Sequence, residues 1–133
     1  MAICYSPVRR KNMPIDFTFS QEVEDARLMM RNFLHDTVKP AFAALREDKS
    51  ATREDWSVLV KSLRQQAKEA GFWLPHMPQD VGGMGLGVTA LAAVSAEAAK
   101  VPMGPYIINA QAPDEGNMHT LYHFATDYQR EHF

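Results

Sequence analysis

The sequence predicts an all-α domain of about five helices, and three observations carry that expectation. Apolar residues recur at three- and four-residue steps through most of the chain. Helix-start and helix-stop residues bracket these periodic stretches. The one β-like run, Tyr106-Ile107-Ile108-Asn109, is too short and too closely flanked by proline to make a strand.

The first helix starts after Ser20, an N-cap residue type. Val23, Ala26, Met30, Phe33, Leu34 and Val38 form its apolar stripe, with Glu24, Asp25, Arg31, Asn32 and His35 on other faces. Glu22, Glu24 and Asp25 suit the positive end of the helix dipole. Lys39-Pro40 predicts a break or kink, because proline disfavours helix at the residue before it. A short apolar patch, Ala41 to Leu45, follows.

The second helix has the clearest signals. Thr52 and Asp55 form a capping-box pair, with Asp where Glu or Gln is usual. Trp56, Leu59, Val60, Leu63, Ala67 and Ala70 make one stripe, and both tryptophans, Trp56 and Trp73, read as core anchors. Gly71 sits where a C′ glycine belongs, with Phe72 placed for the hydrophobic contact that closes such ends.

Residues 71–87 read "GFWLPHMPQDVGGMGLG", with four of the chain's seven glycines in the last six positions. A dinucleotide fingerprint would need glycines at 83, 85 and 88, but position 88 is Val and "PHMPQDV" is no strand. No Gly-Lys-Ser/Thr follows, which excludes a Walker loop. The stretch therefore reads as a turn, with Gly82 and Gly83 at positive φ and Pro75 and Pro78 stiffening the approach.

Val88 to Lys100 is mostly small residues and predicts a centrally placed helix that packs closely on several neighbours. "VPMGPYIINAQAP", residues 101–113, is a poor long helix but could supply a shaped wall. Pro113, Asp114 and Glu115 suit the first turn of another helix, with Met118, Leu121, Tyr122 and Ala125 as its stripe. Thr126 and Gln129 form a second capping box. That last helix has run barely two turns at Phe133 and reads as cut off rather than finished.

A chain of 133 residues with net charge −2 and no basic block beyond Arg9-Arg10-Lys11 argues against nucleic-acid binding. The single cysteine, Cys4, fits a reducing compartment. Residues 1–14 read as a flexible tail without the apolar core of a secretory signal. His119 and His123, four apart with Glu115 one turn earlier, suggest a metal face, but they fall opposite the apolar stripe and read as solvated. His35 and His132 read as surface residues and His76 as a loop residue. No Ser, Cys or Asp sits in a nucleophile motif, so acid–base and nucleophilic catalysis have no visible carrier.

"AGFWLPHMPQDVGGMGLG" between two helices, the preceding "VKP" and the later "APDEGNMHTLYHFATDYQREHF" resemble the N-terminal helical domain of acyl-CoA dehydrogenases over residues 15–133. The resemblance implies an orthogonal helical bundle within an enzyme that desaturates acyl-CoA thioesters at the α,β position and passes hydride to FAD. It further implies that the flavin and the catalytic glutamate are held mainly by a β domain and a C-terminal bundle. No catalytic residue is therefore expected on this chain, no metal, and no FAD bound by the chain alone.

By position, the resemblance makes Met103, Tyr106, Ile107, Asn109 and Gln111 candidate walls for the far end of the acyl chain. It implies acyl-CoA as substrate in the full-length context, packing against the other domains, homo-oligomer formation, and no nucleic acid or membrane span. The compartment expected is the cytoplasm or an organelle lumen such as the mitochondrion, not the secretory route. The rival expectation is a stand-alone helical protein-interaction module derived from such a domain.

Overall fold

The computed structural model describes residues 18–132, so the tail expected over 1–14 and Cys4 lie outside the described residues. The regular elements among them are all helical: α1 Gln21–Phe33, α2 Lys39–Glu47, α3 Arg53–Glu69, α4 Val88–Ala98, α5 Gly104–Ile107, α6 Asp114–Phe124 and α7 Asp127–His132. The one-turn α5 is additional to the five helices expected, and α1 and α2 run on from one another.

Proline 40 does not break that run. Residues Leu34–Val38 widen into a π-helical turn, and the Lys39 N–H donates to the Leu34 carbonyl five residues back. Proline lacks an N–H and crowds the carbonyl four residues before it, and a wider turn accommodates both. Leu34, Val38 and Phe42 therefore stay on one buried face across the junction.

The caps form as their residue types require. The Ser20 side chain accepts from the Val23 N–H. Thr52 and Asp55 complete a reciprocal capping box, with the Thr52 N–H donating to Asp55 at 2.8 Å. α3 stops in a left-handed residue, Gly71 (φ +77°), and the Phe72 N–H reaches back to the Ala67 carbonyl at 2.8 Å. The Thr126 hydroxyl accepts from the Gln129 N–H while the Gln129 side chain accepts from the Thr126 N–H.

The core joins Met30, Leu34, Val38 and Phe42 to Leu63 and Ala67 of α3, Val94 and Ala98 of α4, and Ile107 and Ile108 after it. Phe42 stacks on Trp56, and Phe33 tilts against Phe72. α4 lies against α1, as its small residues permit, and the contact contains a buried charge. Glu97, only 2% exposed, accepts from Arg27 of α1 and from Lys100 at 2.9 Å. Burial works to raise the Glu97 pKa, but the hydrogen bonds and charges of Lys100 and Arg27 outweigh it and hold the carboxyl below its ordinary value.

The glycine loop differs from expectation in one respect. Gly82 (φ +81°) and Gly85 (φ +63°) take positive φ, whereas Gly83 does not. Position 83 needs glycine for a different reason: a Cβ there would sit 2.1 Å from the Met77 carbonyl oxygen. The loop turns back on itself, with Gly83 N–H donating to Pro78 and Gly85 N–H to Met77, each at 2.9 Å.

Within this loop His76 is buried, at 8% exposure, and neither ring nitrogen has a hydrogen-bond partner. Its ring tilts against His119 of α6 at 5.4 Å, so His119 is half-buried rather than solvated, while His123 is exposed. Burial lowers the His76 pKa; the Glu115 charge opposes that shift and His119 adds to it. Trp73 is likewise no core anchor: it is half-buried, with Arg64 and Lys68 lying over its ring.

Two outcomes are expected. Gly83→Ala forces the new Cβ into backbone and should cost about 1–3 kcal/mol, read as a lower urea midpoint at unchanged m-value. The lowered His76 pKa means that the unfolded chain binds more protons just below the ordinary histidine value. Stability should therefore fall as pH drops from 7 through about 6.5, and His76→Phe should flatten that slope in urea titrations at stepped pH. A second loss, from Glu97, belongs at lower pH, below the ordinary carboxylate range.

Candidate ligand groove beside α3

Residues spaced by three and four along α3 share one face. Arg53, Trp56, Ser57, Val60, Lys61 and Arg64 line a groove of about 600 Å³, which Met103 and Tyr106 close from the other side. α5 reaches this position because Gly104 lies hard against α4: a Cβ on it would be 2.3 Å from the Ala98 carbonyl oxygen. Met103 turns the chain into α5 with φ +64°, and Asn109 turns it out again with φ +56°.

Arg64 is the centre of this arrangement. It is half-buried, its guanidinium carbon lies 4.8 Å from the ring centroids of both Trp73 and Tyr106, and one N–H₂ donates to Asn109 Oδ1 at 2.8 Å. Asn109 is itself buried, and its amide nitrogen lies 3.9 Å from Met118 Sδ. Among the described residues no carboxylate forms an ion pair with Arg53, Lys61, Arg64 or Lys68. The groove has an apolar floor and a cationic rim.

The five expected site residues divide accordingly. Met103 and Tyr106 line the groove, and Asn109 joins it through Arg64. Ile107 is fully buried in the core. Gln111 is half-buried in the segment just before α6, and its carbonyl accepts from the Glu115 N–H at 3.0 Å. A second cleft, of about 440 Å³ between α1 and the glycine loop, includes Glu22, Val23, Met84 and Leu86 and none of the five.

Sequence reasoning missed Arg64, Arg53, Lys61 and Lys68. The signal was available: bases at 53, 61, 64 and 68 fall within one strip of a helix, bordering the apolar stripe that includes Trp56 and Val60. Solvated basic strips are common, and only the approach of Tyr106, Trp73 and Asn109 distinguishes this one. Among the described residues no group of three His, Cys, Asp or Glu side chains could hold a metal ion, although His76, His119 and His123 are neighbours.

A family model described as acyl-CoA dehydrogenase, N-terminal domain, matches residues 20–133. Acyl-CoA dehydrogenase family member 11 of Rattus norvegicus is 26% identical over 120 residues, covering 86% of this chain and 15% of that protein. The Gallus gallus protein of the same name is 25% identical over 134 residues, covering 97% of this chain and 17% of the relative. A probable acyl-CoA dehydrogenase, FadE2, of Mycobacterium tuberculosis is 28% identical over 119 residues, covering 87% and 29%. No solved structure matches the chain. This chain thus spans a minor part of the length of the relatives it matches. With the helical order in place and the match running through nearly all the described residues, the chain belongs to the acyl-CoA dehydrogenase family, as its N-terminal domain.

Proposed function

We propose that this chain acts as the N-terminal helical domain of an FAD-dependent acyl-CoA dehydrogenase, where residues 103–112 wall the far end of the acyl chain. One observation carries the reading: the segment is anchored at its middle and open at its flank. Ile107 and Ile108 are fully buried, and the Ile108 carbonyl accepts from the Leu74 N–H at 3.0 Å. Met103 and Tyr106 meanwhile stay at an open groove. A wall of this kind keeps its shape when a chain lies on it, and positioning of that sort favours reaction over mere binding.

The glycine loop does not offer FAD a pyrophosphate cradle. In the glycine loop, the N–H groups of Gly82, Gly83, Met84 and Gly85 already donate to Gln79, Pro78, Leu74 and Met77. A phosphate cradle needs those donors free. In our reading, the flavin, its redox chemistry and the proton abstraction α to the thioester belong to other domains of the dehydrogenase, as the family resemblance implies, and the chain by itself is expected to be inactive. Among the described residues no helix is long and apolar enough to cross a membrane.

A second reading, the stand-alone interaction module, draws on Phe124 and Tyr128, which are 83% and 67% exposed on α6 and α7. Apolar surface of that kind marks an interaction site, whether for further domains or for a separate partner. The gene separates the two. A reading frame that continues past codon 133 into a β domain and a glutamate-bearing bundle supports the dehydrogenase, and a stop codon there supports the module.

The purified chain should show no flavin absorbance and reduce no dye with an acyl-CoA; stoichiometric flavin with turnover overturns its inactivity. In an active enzyme carrying this domain, Tyr106→Ala withdraws the wall and lengthens the pocket. It should raise kcat/KM for longer acyl chains relative to shorter ones by about tenfold. An unchanged chain-length profile removes Tyr106 from the wall.

A further inference from the structure

We propose that the groove beside α3 recognises the carboxylate end of an aliphatic chain, with Arg64 as the anion-binding residue. Four features of the groove support this. Arg64 has five N–H donors, and one hydrogen bond, to Asn109, is formed. Stacking on Trp73 and Tyr106 leaves the other donors free, because they lie in the guanidinium plane. The groove's charged lining residues are Arg53, Lys61 and Arg64, with no acid among them. Between these cations the lining is apolar: half-buried Trp56 and Val60, with the more exposed Met103 at the edge.

Charge and geometry together select the ligand. A half-buried arginine without a counter-ion attracts an anion, and its planar fork matches the two oxygens of a carboxylate. Asn109, buried and held at a left-handed backbone position, fixes the fork before any ligand arrives. From Arg64 to Trp56 is eight residues along α3, about 12 Å at 1.5 Å per residue, and this is the track open to methylene groups. A neutral alkyl chain would satisfy the floor but leave Arg64 unpaired. A bare inorganic anion would satisfy Arg64 but leave the floor in water.

The proposal rests on the wall reading for its biological meaning. If residues 103–112 meet the far end of the acyl chain, that end carries a carboxylate, and the substrate class is acyl thioesters with an acid group remote from the thioester. A free fatty acid presents the same chemistry from another source, so the experiment has two arms.

In the first arm, sodium octanoate and 1-octanol are titrated into the purified chain, with Trp56 and Trp73 fluorescence as the signal. Octanoate should quench saturably, at least tenfold more tightly than octanol, and weaken as salt is raised. Arg64→Met should abolish the preference, and Arg64→Lys, which keeps charge but not the fork, should recover only part of it. Equal affinity for octanoate and octanol, or no saturable octanoate binding, overturns the site without depending on any variant's folding. In the second arm, suberyl-CoA and octanoyl-CoA are compared in the complete enzyme. Preference for suberyl-CoA supports the substrate class, and equal kcat/KM overturns it. Turnover of neither thioester overturns the dehydrogenase reading instead, leaving the octanoate result to stand on its own.

Discussion

One backbone residue, Leu74, ties the glycine loop to the segment that carries the candidate wall. The Leu74 N–H donates to the Ile108 carbonyl at 3.0 Å, while the Leu74 carbonyl accepts from Met77 and Met84 at 3.0 and 3.1 Å. These bonds tie the glycine loop to itself and to the wall segment through a single peptide neighbourhood. Leu74 adopts φ +51° to make them, and burial of its side chain keeps water from competing for the same groups. The tightness at Gly83 follows, because the loop must close around Met77 for Met84 to reach Leu74. The placement of Tyr106 and Asn109 follows as well, since they flank the tied carbonyl.

Two cations show how differently this domain uses positive charge. Arg27 is neutralised by Glu24 and by buried Glu97, so it joins α1 to α4 and presents little field outward. Breaking such a pair leaves a buried carboxylate short of partners, which costs more than an exposed pair contributes. Arg64 is instead held without an acid, by two rings and one amide oxygen. An arginine arranged in that way keeps its charge available to a ligand. The contrast separates a packing role from a recognition role more clearly than burial does.

The apolar stripes were readable because helical periodicity is local. Met30, Leu34 and Val38 are fully buried, as are Leu63 and Ala67 on α3. Both capping boxes and the Gly71 stop were readable for the same reason: their donors and acceptors lie within a few residues of each other. Pro40 misled because the local rule says only that an ordinary α-turn is disfavoured there, and a π-turn relieves the same crowding while keeping the buried face continuous. His76 and Trp73 misled because their surroundings come from other elements: α6 covers the histidine, and Arg64 and Lys68 of α3 lie over the tryptophan.

The sequence by itself determined the all-α class, the capped helix ends, the apolar faces and the family, because each is written in short-range spacing and residue type. It also excluded the glycine stretch as a nucleotide loop, and the internal bonding of that loop supplies the physical reason. Only the tertiary structure decided which side chains meet. Arg64 and Asn109 are 45 residues apart and touch because Gly104 lets α5 settle on α4 beside the end of α3. Contacts across that distance depend on the path of the whole chain, which no local pattern encodes.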